Sequence, residues 1–372
     1  MDNNNDRATI SQKNDFLRIK GFDYVEFYVG NARQAMHFYR TAFGFSPVAY
    51  ASAETGVTDR ESFILQQDGI RLILTSALSH DSFIAEHTGR HGDGVRDIAF
   101  AVDNATSAFE ETVRRGAQPV MEPAVFENGH GCMVKATVKT FGDTVHSFIQ
   151  HESPGNVLPP NYQPLENLAP CEAVNLNSVD HIAICVESGK LDYWVGFYKD
   201  VFGFHQSHQE DVYTDHSGMN SKAVRNSTGE IKLPIMEPVS GKQRSQIEVF
   251  LNSYQGPGSQ HIAFLCDDIL GAVRALRSNG IGFLHTPDSY YQMIPHRMGD
   301  VAEDIEGLRE LKILIDHDKQ GYLMQIFTKP LQSRPTVFAE VIQRKGATGF
   351  GGGNIRALFE AVEQDQARRG NA

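Results

Sequence analysis

The sequence predicts an α+β chain of four βαβββ modules, paired into two open-barrel domains and followed by a C-terminal lid helix. Three observations carry this expectation: two internal repeats of a strand leading into a helix, a proline-rich stretch between the halves, and a Gly-rich segment before a final amphipathic run.

The first repeat aligns FDYVEFYVGNARQAMHFYRTAFGF, Phe22 to Phe45, with VDHIAICVESGKLDYWVGFYKDVFGF, Val179 to Phe204. Each opens as an apolar strand and then shifts to helical spacing, through Ala35, Phe38, Tyr39 and Phe43 in one and Trp194, Phe197, Tyr198 and Phe202 in the other. Gly44 and Gly203 stand where each helix stops and suit its C-cap. The second repeat aligns Gly94 to Gly116, GVRDIAFAVDNATSAFEETVRRG, with Gly258 to Gly280, GSQHIAFLCDDILGAVRALRSNG. Short β-rich runs broken by Gly and Asn follow, such as SFILQQDGIRLILT and KAVRNSTGEIKLPIM, completing each module.

Two modules make each domain, 16–152 and 178–372, joined by ESPGNVLPPNYQPLENLAPCEAVN with its five prolines. The segment GFGGGN then leads into IRALFEAVEQDQARRG, whose Ile355, Leu358, Phe359 and Val362 give one apolar face.

With a net charge of −12 and no basic cluster, the chain is a poor partner for nucleic acid or an anionic membrane. Cys132, Cys171, Cys185 and Cys266 form no CxxC and read as reduced core residues, and the polar N-terminus lacks a signal peptide's apolar stretch. A cytoplasmic protein is the expectation.

The halves diverge in histidine. His181 replaces Tyr24 at the start of the third module, and His261 replaces Asp97 at the start of the fourth. Modules paired face to face would bring these imidazoles from opposite walls of one cavity. A third ligand is expected from a late strand, where Glu340 sits among Phe338, Ala339, Val341 and Ile342. A carboxylate in such company is costly unless paired or bound to a cation. Two imidazoles and one carboxylate with open positions suit non-haem Fe(II).

In SVDHIAI, SQIEVFLNSYQGPGSQHIAF, TPDSYY, LKILIDHDKQGYLMQIFTKP, RPTVFAEVIQRKG and GFGGGNIRALFEAVE, the chain resembles the 4-hydroxyphenylpyruvate dioxygenase family of the vicinal oxygen chelate superfamily, whose fold is glyoxalase-like. The resemblance covers nearly the whole chain. It implies His181, His261 and Glu340 as Fe(II) ligands and Ser221, Gln246, Gln260 and Gln325 as polar groups of the catalytic cavity. Phe327, Phe350, Pro234, Met236 and Ile355 would form the substrate wall. It implies 4-hydroxyphenylpyruvate and O2 as small-molecule partners, a homo-oligomer (dimer or tetramer), and an N-terminal domain without a metal.

Family members share decarboxylation of the 2-oxo acid and then differ in the carbon hydroxylated: ring attack gives homogentisate, benzylic attack gives 4-hydroxymandelate. Ile355 stands where ring-attacking enzymes carry phenylalanine and Met236 where they carry asparagine, while Pro234 matches them. Losing one aromatic face (about 0.5–1.5 kcal/mol) and one hydrogen-bonding group frees the ring to tilt. The sequence therefore favours 4-hydroxymandelate as product, with homogentisate the alternative. An extradiol catechol dioxygenase, or a metal-free binding protein on the same modules, is a remoter reading.

Overall fold

The computed structural model describes residues 15–128, 131–152, 159, 161–165, 172–214, 217–298 and 302–357. The first module comprises β1 (Ile19–Tyr28), α1 (Ala32–Phe43), β2 (Ser46–Ala51), β3 (Arg60–Gln67) and β4 (Ile70–Ala77). Helix α2 (Phe83–His91) leads to the second: β5 (Gly94–Val102), α3 (Ala105–Arg114), β6 (Pro119–Asn128), β7 (Gly131–Lys139) and β8 (Val145–His151). A two-residue β9 (Gln163–Pro164) follows. The third module is β10 (Leu176–Cys185), α4 (Leu191–Phe202), β11 (His205–Tyr213), β12 (Gly218–Arg225) and β13 (Lys232–Val239). After α5 (Gln246–Tyr254) comes the fourth, β14 (Gly258–Cys266), α6 (Ile269–Ser278), β15 (Leu314–His317), β16 (Tyr322–Phe327) and β17 (Phe338–Lys345), with α7 (Asp288–Gln292), α8 (Ile294–Met298) and α9 (Ile305–Leu311) inserted before β15.

Local chemistry sets the boundaries. The Asn31 side chain accepts from the Gln34 N–H at the start of α1, and Gly44 ends that helix in the left-handed region, φ 76°. Gly203 ends α4 in the same way, φ 70°.

The strands form two sheets, β6-β7-β8-β5-β1-β4-β3-β2-β9 and β11-β12-β13-β10-β14-β17-β16-β15. Here the structure departs from modules set face to face. Each pair joins edge to edge through its opening strands, β1 with β5 and β10 with β14, antiparallel. Exposed edges of opening strands would leave backbone groups unpaired, and pairing them satisfies both. The stretch between the halves also carries structure, since β9 pairs with β2. Two residues are too short for a periodic signal.

Strands buried on both faces separate two environments by alternation. Ile182, Ile184, Ile262, Phe264, Ala339 and Val341 enter one apolar core shared by both halves. There Phe264 meets Phe43 of α1 at 6.4 Å, and Phe100 of β5 meets Phe202 of α4 at 6.3 Å. The odd-numbered partners, His181, Ala183, His261 and Ala263, face the other way. Among the described residues no helix is long and apolar enough to cross a membrane, and Cys132, Cys185 and Cys266 are free thiols. Cys171, Leu358, Phe359 and Val362 lie outside the described residues.

His146 on β8 fixes the contact between the halves. Its Nδ1–H donates to the Ile98 carbonyl at 2.9 Å and its Nε2 accepts from the Tyr198 hydroxyl of α4 at 2.8 Å, so the ring is neutral. Burial lowers its pKa to about 4. An unfolded histidine protonates near pH 6.5, so this ring favours folding fully above that pH and loses its contribution as pH falls toward about 4, at most about 3 kcal/mol. Urea midpoints at pH 7 and pH 4.5 should converge more for His146→Gln than for the parent. An unchanged pH dependence would remove His146 from the account.

Candidate metal centre

Register brings the three sequence-predicted ligands to one place. His181 on β10 pairs with Ala263 on β14, which pairs on its other side with Glu340 on β17. His261 lies two residues before Ala263, on the same face of its strand. The ligands thus come from three adjacent strands of one sheet and not from opposite walls.

The Glu340 carboxylate oxygen Oε2 lies 3.2 Å from His181 Nε2 and 3.5 Å from His261 Nε2. One donor atom from each residue falls within 4.8 Å of the others, and all three side chains are buried. Among the described residues Glu340 Oε1 meets no donor.

Their outer partners fix both imidazoles. His181 Nδ1 donates to Asp180 Oδ2 at 2.8 Å, and His261 Nδ1 to Gln260 Oε1 at 3.3 Å. Both Nε2 lone pairs are left for the centre. The ring of His261 stacks on Phe338 at 4.9 Å, and the edge of Phe350 meets His181 at 5.2 Å. Burial alone would lower the His181 pKa, yet the charges of Glu340 and Asp180 raise it. Burial and the neighbouring His181 hold His261 well below its ordinary value. A negative field beside a neutral imidazole suits a divalent cation, and two nitrogens with one carboxylate suit Fe(II). The residues fit the ion.

Ser221, Pro234, Met236, Gln246, Gln260, Gln325, Phe327, Phe350 and Ile355 all line the same cavity as the three ligands. Gln246 starts α5, whose other end carries Tyr254. That ring fills the space over Gly94 and Gly258, where an added Cβ would come within 2.6 and 2.5 Å of it, and so sets the helix against both opening strands. Gln246 and Gln325 are almost fully buried, and among the described residues their amide oxygens meet no donor.

Sequence reasoning missed His208, Met219 and Ala223 on the cavity wall, and assigned no role to Asp180 or Arg344. Asp180 directly precedes a ligand, and Arg344 is four residues past Glu340 on the same strand face, signals that were available.

In the N-terminal half the same register places Tyr24, Asp97 and Ser147 at the positions of His181, His261 and Glu340, and Lys135 at that of Gln325. Tyr24 and Ser147 donate to Asp97 Oδ2 at 2.8 and 2.6 Å, and Lys135 Nζ reaches it at 3.2 Å. A lysine ammonium supplies the cation there.

Comparisons with known proteins agree with this architecture. Residues 14–156 match the family model described as hydroxyphenylpyruvate dioxygenase, N-terminal, and residues 178–293 the model of the glyoxalase, bleomycin resistance protein and dioxygenase superfamily. The 4-hydroxyphenylpyruvate dioxygenase of Yarrowia lipolytica is 40% identical over 368 residues, covering 95% of this chain and 93% of the relative. That of Danio rerio is 40% identical, covering 98% and 95%. A solved triple mutant of 4-hydroxymandelate synthase from Streptomyces coelicolor superposes with a TM-score of 0.85 at 37% identity, covering 94% of this chain and all of that one.

Proposed function

Because this chain belongs to the 4-hydroxyphenylpyruvate dioxygenase family, we propose that it uses Fe(II) and O2 to decarboxylate 4-hydroxyphenylpyruvate and hydroxylate the resulting aryl acid, giving homogentisate and CO2. The observation that carries the chemistry is the convergence of His181, His261 and Glu340 on one buried point at the end of an aromatic-walled cavity. Bound there, Fe(II) would supply open positions for O2 and for the chelating 2-oxo acid.

The chain's own part is positioning and exclusion of water. Asp180 and Gln260 hold the imidazoles, as above. The amide groups of Gln246 and Gln325, with Ser221, offer donors to the substrate carboxylate and acceptors to its phenol O–H. Phe327 and Phe350 present apolar surface to the ring.

The relatives named 4-hydroxyphenylpyruvate dioxygenase back homogentisate better than the 4-hydroxymandelate favoured by the wall residues. One observation supports that second reading. Ile355 packs onto the apolar cluster that contains Met236, Met219, Ile247 and Phe250, so the two departures from the ring-attacking pattern form one aliphatic patch. Chromatography after incubation with Fe(II), ascorbate, O2 and 4-hydroxyphenylpyruvate decides. Homogentisate as main product sustains the proposal, 4-hydroxymandelate establishes the second reading, and neither acid overturns the substrate.

If the patch governs the product, Ile355→Phe should move the ratio toward homogentisate by several-fold to about tenfold, the worth of one aromatic contact. Because Met236 shares the cluster, Met236→Asn combined with it should be non-additive. An unchanged ratio in the single and double variants would dismiss the wall as the determinant.

A further inference from the structure

We infer that Arg344 is a positioning residue that joins the orientation of the ligand His181 to the order of segment 347–354, whose Phe350 lines the cavity, so that metal binding and the setting of this segment strengthen each other. The inference rests on the metal reading above and adds to it Arg344, Asp316 and Asp318, to which that reading gives no role.

The guanidinium uses both edges. Its Nε and Nη2 donate to Asp180 Oδ1 and Oδ2, each at 2.7 Å, and its Nη1 donates to the carbonyls of Ala347 at 3.2 Å and Gly349 at 2.7 Å. A planar fork can satisfy a carboxylate bidentately with one edge and still offer the other; lysine cannot. Asp180 in turn accepts from His181 Nδ1, and Phe350, next to Gly349, lays its ring edge against the His181 imidazole. Arg344, Asp180, His181 and Phe350 thus close a ring of contacts between a ligand and the segment.

Two carboxylates of the β15 region also hold the segment. Asp318 Oδ2 accepts from the N–H groups of Thr348 at 2.7 Å and Gly349 at 2.8 Å, and Asp316 Oδ2 from that of Gly353 at 2.7 Å. Gly351 lies against Gln325, where an added Cβ would meet Oε1 at 3.1 Å. Fixing His181 with an ion therefore restrains Phe350 and the two carbonyls held by Arg344. By linkage, the factor by which the ion favours the ordered segment is the factor by which the ordered segment favours the ion, so loosening 347–354 weakens the ion by up to that factor.

Metal-stripped full-length protein titrated anaerobically with Co(II), with hydrogen exchange followed across 347–354, tests this. In the parent, Co(II) should slow exchange in the segment. Arg344→Met should bind Co(II) about 10–100-fold more weakly, and Co(II) should no longer protect the segment. Asp318→Ala touches neither ligand nor Asp180, yet should speed exchange at 347–354 and weaken Co(II) several-fold; it carries the test alone if Arg344→Met does not fold. Parent-like Co(II) affinity in Asp318→Ala despite faster exchange, or parent exchange indifferent to Co(II), would overturn the coupling and leave the metal site standing. A parent that takes up no Co(II) would bring down the metal reading and this inference together.

Discussion

Glu340→Ala is expected to consume O2 with 4-hydroxyphenylpyruvate at least about a thousandfold more slowly than the parent, because one of three ligands is lost and several kcal/mol of metal-dependent stabilisation goes with it. The carboxylate is the only anionic member of the set, and its Oε2 lies near both imidazoles. Without it two neutral nitrogens would compete poorly for a hydrated divalent ion. Oxygen-electrode rates at saturating Fe(II), with circular dichroism to confirm the fold, measure the effect. A variant within tenfold of the parent would show that Glu340 does not hold the metal.

Asp180→Ala should lower stability by about 3–5 kcal/mol, the usual cost of stripping one partner from a buried ion pair. Asp180 is 4% exposed and stands among Arg344, Lys232 at 3.0 Å and His181. Although burial would raise its pKa, hydrogen bonds from Arg344 and His181 hold it well below the carboxylate range. Its removal leaves two half-buried cations unbalanced and the His181 Nδ1–H without an acceptor. Thermal unfolding of the metal-free protein should shift down by roughly 5 °C, and metal affinity should fall about 10–100-fold. Asp180→Asn keeps an acceptor and should lose less. Pairing Asp180→Asn with Arg344→Met should recover part of the stability, since both opposed charges then leave together. A parent-like midpoint in Asp180→Ala would mean that these charges are solvated in the folded protein.

The sequence made the centre legible because the chain repeats itself. Comparing His181 with Tyr24, and His261 with Asp97, located two ligands without any other protein, and Glu340 stood out as a carboxylate in an apolar strand. Glycines after the helices and the alternation of the strands were equally plain. The cavity glutamines were legible only through the family resemblance, since a lone glutamine on a strand reads as surface polarity.

What was not legible is what depends on pairing between distant residues. The partnership of Asp180 with Arg344 spans 164 positions, and no local pattern announces it. Edge-to-edge pairing of β10 with β14 is set by backbone hydrogen bonds, which side-chain periodicity does not encode, so the ligands were expected on opposite walls. His208 lines the cavity from an edge strand of mostly polar, half-exposed residues, where one inward histidine carries no signal.

The central claim is that two imidazoles and one carboxylate of this chain share a single ferrous ion. X-ray absorption at the iron edge, on full-length protein loaded anaerobically with Fe(II), tests it most directly. The account predicts one iron per chain, with scattering from two imidazole rings that falls to one in His261→Ala. Protein that takes up no iron, or iron bound without histidine scattering, would contradict it.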